Sequence, residues 1–171
     1  TGIDEILHRG TTPIDADSFK EMIELDDILV IDTRTKEIYT NEGTVPGAWY
    51  IGLGGSFAPW VGALISNINQ KIIFIAEEGR EHEVVTRFSR VGYDNILGYL
   101  RGGIHSWKAA GHKVDQIGSI SATEFANRLK ERTMQVSLDV RKESEYLSEH
   151  VVDVENFPLD DIHTNFAEIN P

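Results

Sequence analysis

The chain has 171 residues, 40% hydrophobic and 26% charged, with 28 acidic against 16 basic side chains and no cysteine; that length buries one sizeable core, or one domain and part of another. A formal net charge of -12 repels phosphate backbones and anionic headgroups, which sets nucleic acid and membrane surfaces aside as partners. Without cysteine these residues supply no disulfide, no thiolate zinc site and no sulfur nucleophile, so a soluble cytoplasmic protein is the expectation.

The start, Thr1-Gly2-Ile3-Asp4-Glu5, has neither a basic region followed by an apolar one nor an initiator Met, so it reads as a piece of a longer protein rather than a leader. Asp15 to Ser18 precede Phe19, Met22 and Ile23 at helical spacing, which predicts a capped amphipathic helix. Ile28 to Ile31 form a short apolar run ending at Asp32, the pattern of a buried parallel strand. Val45-Pro46-Gly47-Ala48 is a turn feeding a second strand around Trp49 to Ile51, and Gly52 to Gly55 break the chain before a helix expected over Phe57 to Ile68. Lys71 to Ala76 is the most strand-like run; a glycine-containing loop follows, then a helix from Glu81 to Val91 stopped by Gly92. Ile96 to Leu100 reads as another strand, and Gly102-Gly103 lead into a helix through Trp107, closed by Gly111. Strands alternating with helices on short loops predict an α/β fold, an open parallel sheet with helices on both faces.

The pattern then restarts. Asp32 and Asp139, Arg34 and Arg141, Tyr39 and Tyr146 each stand 107 residues apart, and Ile14 to Phe19 is echoed by Ile120 to Phe125. A constant offset argues for duplication. The expected organisation is a connector over 1–11, a first domain over 12–118, and the opening half of a second copy over 119–171, where half a sheet leaves an unpaired edge that predicts disorder, dimer contacts or a loose tail.

Ile31-Asp32-Thr33-Arg34, Val45-Pro46-Gly47-Ala48, and Tyr99 to Trp107 with its Gly102-Gly103 together resemble the rhodanese domain in order and spacing. The resemblance implies that fold and an active loop after Lys71 to Ala76, where members carry C-x-x-G-x-R and the cysteine takes up sulfane sulfur. Here the loop reads Ala76-Glu77-Glu78-Gly79-Arg80-Glu81-His82. Gly79 keeps its place, Ala76 holds the nucleophile position and Glu81 stands where the arginine belongs, so no catalytic residue is assigned and Glu77 to His82 remain a vestigial binding loop. The same loop, with Phe57 to Gly62 and Val91 to Asn95, resembles the cysteine-less middle rhodanese domain of multidomain proteins that begin with a metallo-β-lactamase-fold hydrolase or persulfide dioxygenase. That resemblance assigns any iron or zinc to a preceding domain, leaves this chain without cofactor, and projects the second copy's loop past Pro171.

Asp32 and Arg34, with Asp139 and Arg141, read as a structural motif, an aspartate at a strand end and an arginine paired with nearby acids, as do Gly102, Gly103 and Trp107. No metal site is expected: Gly79 separates Glu78 from His82, the six histidines are scattered, and an acidic first helical turn suits the helix dipole. Of the tryptophans, Trp49 and Trp107 are expected as core or interface anchors and Trp60 as an exposed contact. The chain itself is not expected to be an enzyme, although its parent is. The leading expectation is a silent docking or structural module, its partners the other domains of its own parent chain or a second copy. The alternatives are a piece of a tandem sulfurtransferase with its cysteine in the rest of the second copy, and a stand-alone protein-binding module.

Overall fold

In the computed structural model, residues 2–134, 136–165 and 167 are described, and the chain divides into two units, 1–118 and 119–171.

The first unit runs α1 (Ile3–Gly10), β1 (Pro13–Ile14), α2 (Ala16–Ile23), β2 (Ile28–Asp32), α3 (Lys36–Glu42), β3 (Trp49–Tyr50), α4 (Phe57–Leu64), β4 (Lys71–Ile75), α5 (Glu81–Arg90), β5 (Ile96–Leu100) and α6 (Gly103–Ala109). Its five strands form one parallel sheet in the order β1-β5-β4-β2-β3. The fold class read from the sequence is the one found. β2 and β4 lie centrally, which is why they read as unbroken apolar runs: both of their faces are covered. Side chains alternate between the faces. Ile31, Ile72 and Phe74 meet Ile6 of α1, Phe57 and Val61 of α4, and Val84, Val85 and Phe88 of α5. Val30, Ile73 and Ile75 meet Phe19 of α2 with Ile104 and Trp107 of α6. Each such side chain contributes roughly 1.5–3 kcal/mol by leaving water.

Local chemistry sets the boundaries. Asp15 accepts from Ser18 N at 2.9 Å and starts α2. α4 stops at Leu64, short of the expected Ile68: Ile65 turns to extended backbone and buries its side chain, and Tyr93 Oη donates to its carbonyl. α5 closes at Gly92, φ 88°, with Tyr93 N on the Phe88 carbonyl at 3.0 Å. The stretch read as a connector, 1–11, holds α1, which belongs to the first unit: Ile6 is buried, and the Arg9 guanidinium donates to the carbonyls of Asp94 and Ile96.

Pairing of β4 with β5 slips by one residue between Ile72 and Ile73, and Gly98 takes up the irregularity at φ 154°. A Cβ there would lie 2.5 Å from Thr12 O and 2.8 Å from Ile14 Cδ1. Gly98→Ala is therefore expected to destabilise the first unit by roughly 2–3 kcal/mol, read as a lowered urea midpoint with unchanged slope.

The second unit runs α7 (Ala122–Lys130), β6 (Leu138–Asp139), α8 (Glu143–Ser148), β7 (Glu155–Asn156), a 3-10 turn at Leu159–Asp161 and α9 (Ile162–Asn165). β6 and β7 form a two-stranded parallel sheet. Its hydrogen bonds repeat those of β2 and β3. Asp32 O accepts from Ile51 N at 3.0 Å and Thr33 O from Leu53 N at 2.9 Å; Asp139 O accepts from Phe157 N at 2.8 Å and Val140 O from Leu159 N at 3.0 Å.

Candidate functional site

Open α/β sheets present a crevice at the carboxyl ends of their strands. Here β2, β4 and β5 end at Asp32, Ile75 and Leu100, and beyond them lies a cleft of about 520 Å³.

One wall is built on β2. Asp32 is fully buried and holds Arg34, itself 3% exposed: Arg34 Nη2 lies 2.7 Å and Nε 3.0 Å from the two carboxylate oxygens. The carboxylate also accepts from Arg34 N at 3.1 Å and from Thr44 Oγ1 at 2.7 Å. Arg34 extends the frame to the Gly43 carbonyl at 2.6 Å and to Glu42 at 3.0 Å. Every guanidinium nitrogen is thereby used, which is what keeping an ion pair out of water requires. Thr33 donates to the Ile75 carbonyl through both N and Oγ1, at 2.9 and 2.8 Å, tying this wall to β4.

The opposite wall is the loop after β4. Gly79 turns at φ 83° and Arg80 N returns to the Glu77 carbonyl at 3.0 Å. Its carboxylates are partly committed to backbone donors. Glu77 Oε1 accepts from Thr35 N, the residue capping α3, at 3.0 Å, and Glu81 Oε1 accepts from Gly79 N at 3.2 Å. The second contact matters most: one amide that opens α5 already faces an anion supplied by the protein itself.

Of the loop residues, Ala76, Glu77, Glu78 and Glu81 line the cleft; Gly79, Arg80 and His82 do not. Arg80 turns away to Glu83, with Nε and Nη2 at 3.0 and 2.9 Å from Oε2, and Arg87 Nη2 joins at 2.7 Å. The Arg80 hydrogen bonds hold the Glu83 carboxyl below its ordinary value of 4.5. A carboxyl lowered on folding adds stability above its unfolded pKa, and that stability is lost as pH falls through the folded value. Glu83→Gln is therefore expected to flatten the decline of melting temperature below about pH 4.5 in a pH series of melts, with only a small loss at pH 7 because the pair is over a third exposed.

The cleft also takes in Ile38, Glu42, Tyr99, Arg101 and His105, none of which the sequence reading placed in the site. Arg101 and His105 flank Gly102 and Gly103, whose φ of 72° and 57° turn β5 into α6, and His105 Nε2 stands 3.6 Å from Glu42 Oε1. Their signal lay in the Tyr99 to Trp107 stretch, which read as a structural signature alone. Trp107 is core: its ring meets Phe19 edge-on at 6.4 Å and Nε1 donates to Lys113 O. Trp60, expected as an exposed contact, packs half-buried against the core cluster that holds Phe57 and Val61; Trp49, expected as an anchor, lies on the edge strand β3 and is the more exposed one at 39%.

In the second unit Arg141 repeats the Arg34 geometry on Asp139, with Nε and N both 3.0 Å from Oδ1 and Nη2 2.6 Å from Oδ2, and reaches the Glu149 carbonyl at 2.9 Å. The Arg141 hydrogen bonds hold the Asp139 carboxyl below its ordinary range. Its arginine is open to solvent, the Arg141 side chain being 47% exposed, while that of Asp139 is 11% exposed.

Among the described residues no group of three or more His, Asp or Glu is placed to hold a metal ion, and no helix is long and apolar enough to cross a membrane.

The rhodanese-like domain family model matches residues 15–110. No curated protein matches the chain. Among solved structures, the Alr3790 protein from Anabaena sp. aligns at 17% identity over 70% of this chain and 99% of its own, with a TM-score of 0.53. A variant of EanB in complex with hercynine aligns at 18% identity over 92% of this chain and 42% of its own, TM-score 0.56. Thiosulfate sulfurtransferase from Pseudomonas aeruginosa aligns at 18% identity over 95% of this chain and 37% of its own, TM-score 0.53. At such identities the likeness is one of fold, and the chain spans under half the length of the last two. With the family's model covering more than half the chain and the parallel sheet laid out beneath it, this protein belongs to the rhodanese-like domain family, as a member without cysteine.

Proposed function

We propose that the first unit is a catalytically silent rhodanese-like module with a structural or docking role inside a larger sulfur-metabolism or metallo-β-lactamase-fold hydrolase protein. The observation that carries this reading is the loop after β4, where Ala76 occupies the nucleophile position and Glu77, Glu78 and Glu81 line the cleft around it. Sulfur transfer by a persulfide needs a thiolate and a cradle of donors for the anions it handles. An alanine methyl offers neither lone pair nor charge, and Glu81 fills part of the cradle with its own carboxylate. Three acids on the loop, with Glu42 on the facing wall, oppose thiosulfate as well as a persulfide. The partners that suit such a face are other domains of the same parent chain.

The test is a thiosulfate-to-cyanide assay on the purified chain, where background rates are expected and clear turnover overturns the reading. A second reading draws on the recurrence of the Asp32–Arg34 geometry at Asp139 and Arg141: the chain is part of a tandem sulfurtransferase whose working cysteine lies in the rest of the second copy. A persulfide mass shift on a cysteine downstream of Pro171, after treatment of the longer chain with a sulfur donor, supports that reading; its absence counts against it.

A further inference from the structure

We propose that the cleft beyond β2, β4 and β5 binds a small zwitterion, an amino acid whose ammonium and carboxylate are held apart by a short apolar stem, with Glu78 meeting the ammonium and Arg101 the carboxylate. This rests on reading the same cleft as silent in sulfur transfer, and it names a ligand class for it.

Most charges around the cleft are already committed. Arg34 directs its guanidinium to Asp32, Glu42 and the Gly43 carbonyl. Glu42 meets Arg34 through Oε2, and its Oε1 lies 3.6 Å from His105 Nε2. Glu77 Oε1 accepts from Thr35 N at 3.0 Å and stands 3.9 Å from Arg80 Nη1, and Glu81 Oε1 accepts from Gly79 N at 3.2 Å. Two opposite charges remain. Among the described residues neither the Glu78 carboxylate nor the Arg101 guanidinium has a hydrogen-bond or ion-pair partner, and they do not pair with each other.

Both stand on fixed backbone. Glu78 lies inside the turn that Arg80 N closes on the Glu77 carbonyl at 3.0 Å. Arg101 N donates to the Ile14 carbonyl at 2.8 Å, and the left-handed Gly102 and Gly103 set the direction in which the chain leaves it. A ligand meeting the two charges therefore orders side chains and no loop, which keeps the cost of binding low. Ile38, Ala76, Leu100 and Ile104 supply apolar lining to the same cleft, and its 520 Å³ exceeds a lone ion and suits a small organic molecule.

The balance of charge decides the class. Filling a cleft takes water from its lining, and a charged group so dried needs a partner. A plain carboxylate would pair Arg101 but press its own charge on Glu42, Glu77, Glu78 and Glu81; a plain ammonium would suit those acids and leave Arg101 alone. A zwitterion answers both. Because four glutamates line the cleft against Arg34 and Arg101, the ammonium end contributes the larger share.

Amide NMR titrations of the purified chain at low ionic strength test this with 6-aminohexanoate, hexylamine and hexanoate, which share one stem. Saturation by 6-aminohexanoate or its shorter homologue 4-aminobutyrate is expected at a Kd of about 10 mM or below, with the amides of Glu77 to Arg80 and of Arg101 to Gly103 shifting. Hexylamine is expected to bind ~10-fold more weakly than 6-aminohexanoate, and hexanoate more weakly again. Arg101→Gln should bring 6-aminohexanoate down to the level of hexylamine and leave hexylamine no weaker, whereas Glu78→Gln should weaken both amines ~10-fold. Both side chains are exposed, so the melting temperature is expected to stand in each variant. Hexylamine matching 6-aminohexanoate, shifts confined to other residues, or no saturation by either amino acid overturns the proposal. With thiosulfate-to-cyanide rates at background such a result removes the ligand alone, while turnover removes the silent reading beneath it.

Discussion

Asp32→Ala is expected to destabilise the first unit by about 3–5 kcal/mol, lowering its melting temperature by roughly 12–20 °C. Removing the carboxylate leaves the Arg34 guanidinium almost wholly buried with Glu42, one-third exposed, as its remaining acid, and it strands the Thr44 hydroxyl and the Arg34 amide as donors. Breaking a buried pair from one side costs far more than the pair's net value, because a charge and its donors stay dry without compensation. The internal control is Asp139→Ala, which removes the same contacts from an Arg141 whose side chain is 47% exposed. Its effect is expected to be several-fold smaller, since solvent reaches the Arg141 guanidinium that is left behind. Thermal melts of the two variants side by side check the pair. Equal losses would mean that burial of the Asp32–Arg34 frame is not what stabilises it.

Ala76→Cys is expected to leave sulfur transfer at background, even though it restores the nucleophile. The introduced thiol would share the cleft with Glu77, Glu78 and Glu81. Three carboxylates lining the same cleft disfavour the charged thiolate and raise its pKa from the ordinary 8.5 or so. Adding Glu77→Gln, Glu78→Gln and Glu81→Gln to Ala76→Cys should return most of that shift and leave the Gly79 amide facing a neutral acceptor in place of an anion. Thiol titration against an alkylating reagent, with the thiosulfate-to-cyanide rate beside it, reads both effects. Turnover by the single variant would show that the acidic rim is no barrier.

The sequence announced the sheet because β2 and β4 are central: only strands covered on both faces need unbroken runs such as Ile72-Ile73-Phe74-Ile75, and those runs are hard to miss. α1 was not legible, since Ile6 and Gly10 are too few apolar contacts to separate a short packed helix from a linker. α4 was drawn too long because its apolar face continues through Ile65 and Ile68, while the chain has already turned at Ile65. For the site, local order in the loop after β4 pointed to Ala76 and its acids. Arg101, His105, Glu42 and Ile38 reach the same cleft from β5, α6 and α3, and adjacency of that kind belongs to topology rather than to any local pattern. Arg80 shows the converse: it sits in the motif, yet Glu83 one turn on claims it.

The order of strands also sets when the first unit can close. β1 pairs only with β5, the last strand made, through Pro13 with Tyr99 and Ile14 with Leu100. α1 leans on the same late elements, α5 and β5. During synthesis at about 5–20 residues per second, the opening segment must therefore wait several seconds without its neighbour, its apolar Ile6 and Ile14 available to other chains or to chaperones. Long-range closure of that sort is slow as well as late. Nascent chains halted before residue 96 should be markedly more sensitive to protease across α1 than chains released beyond residue 101, a difference that arises from the late arrival of β5 beside both α1 and β1.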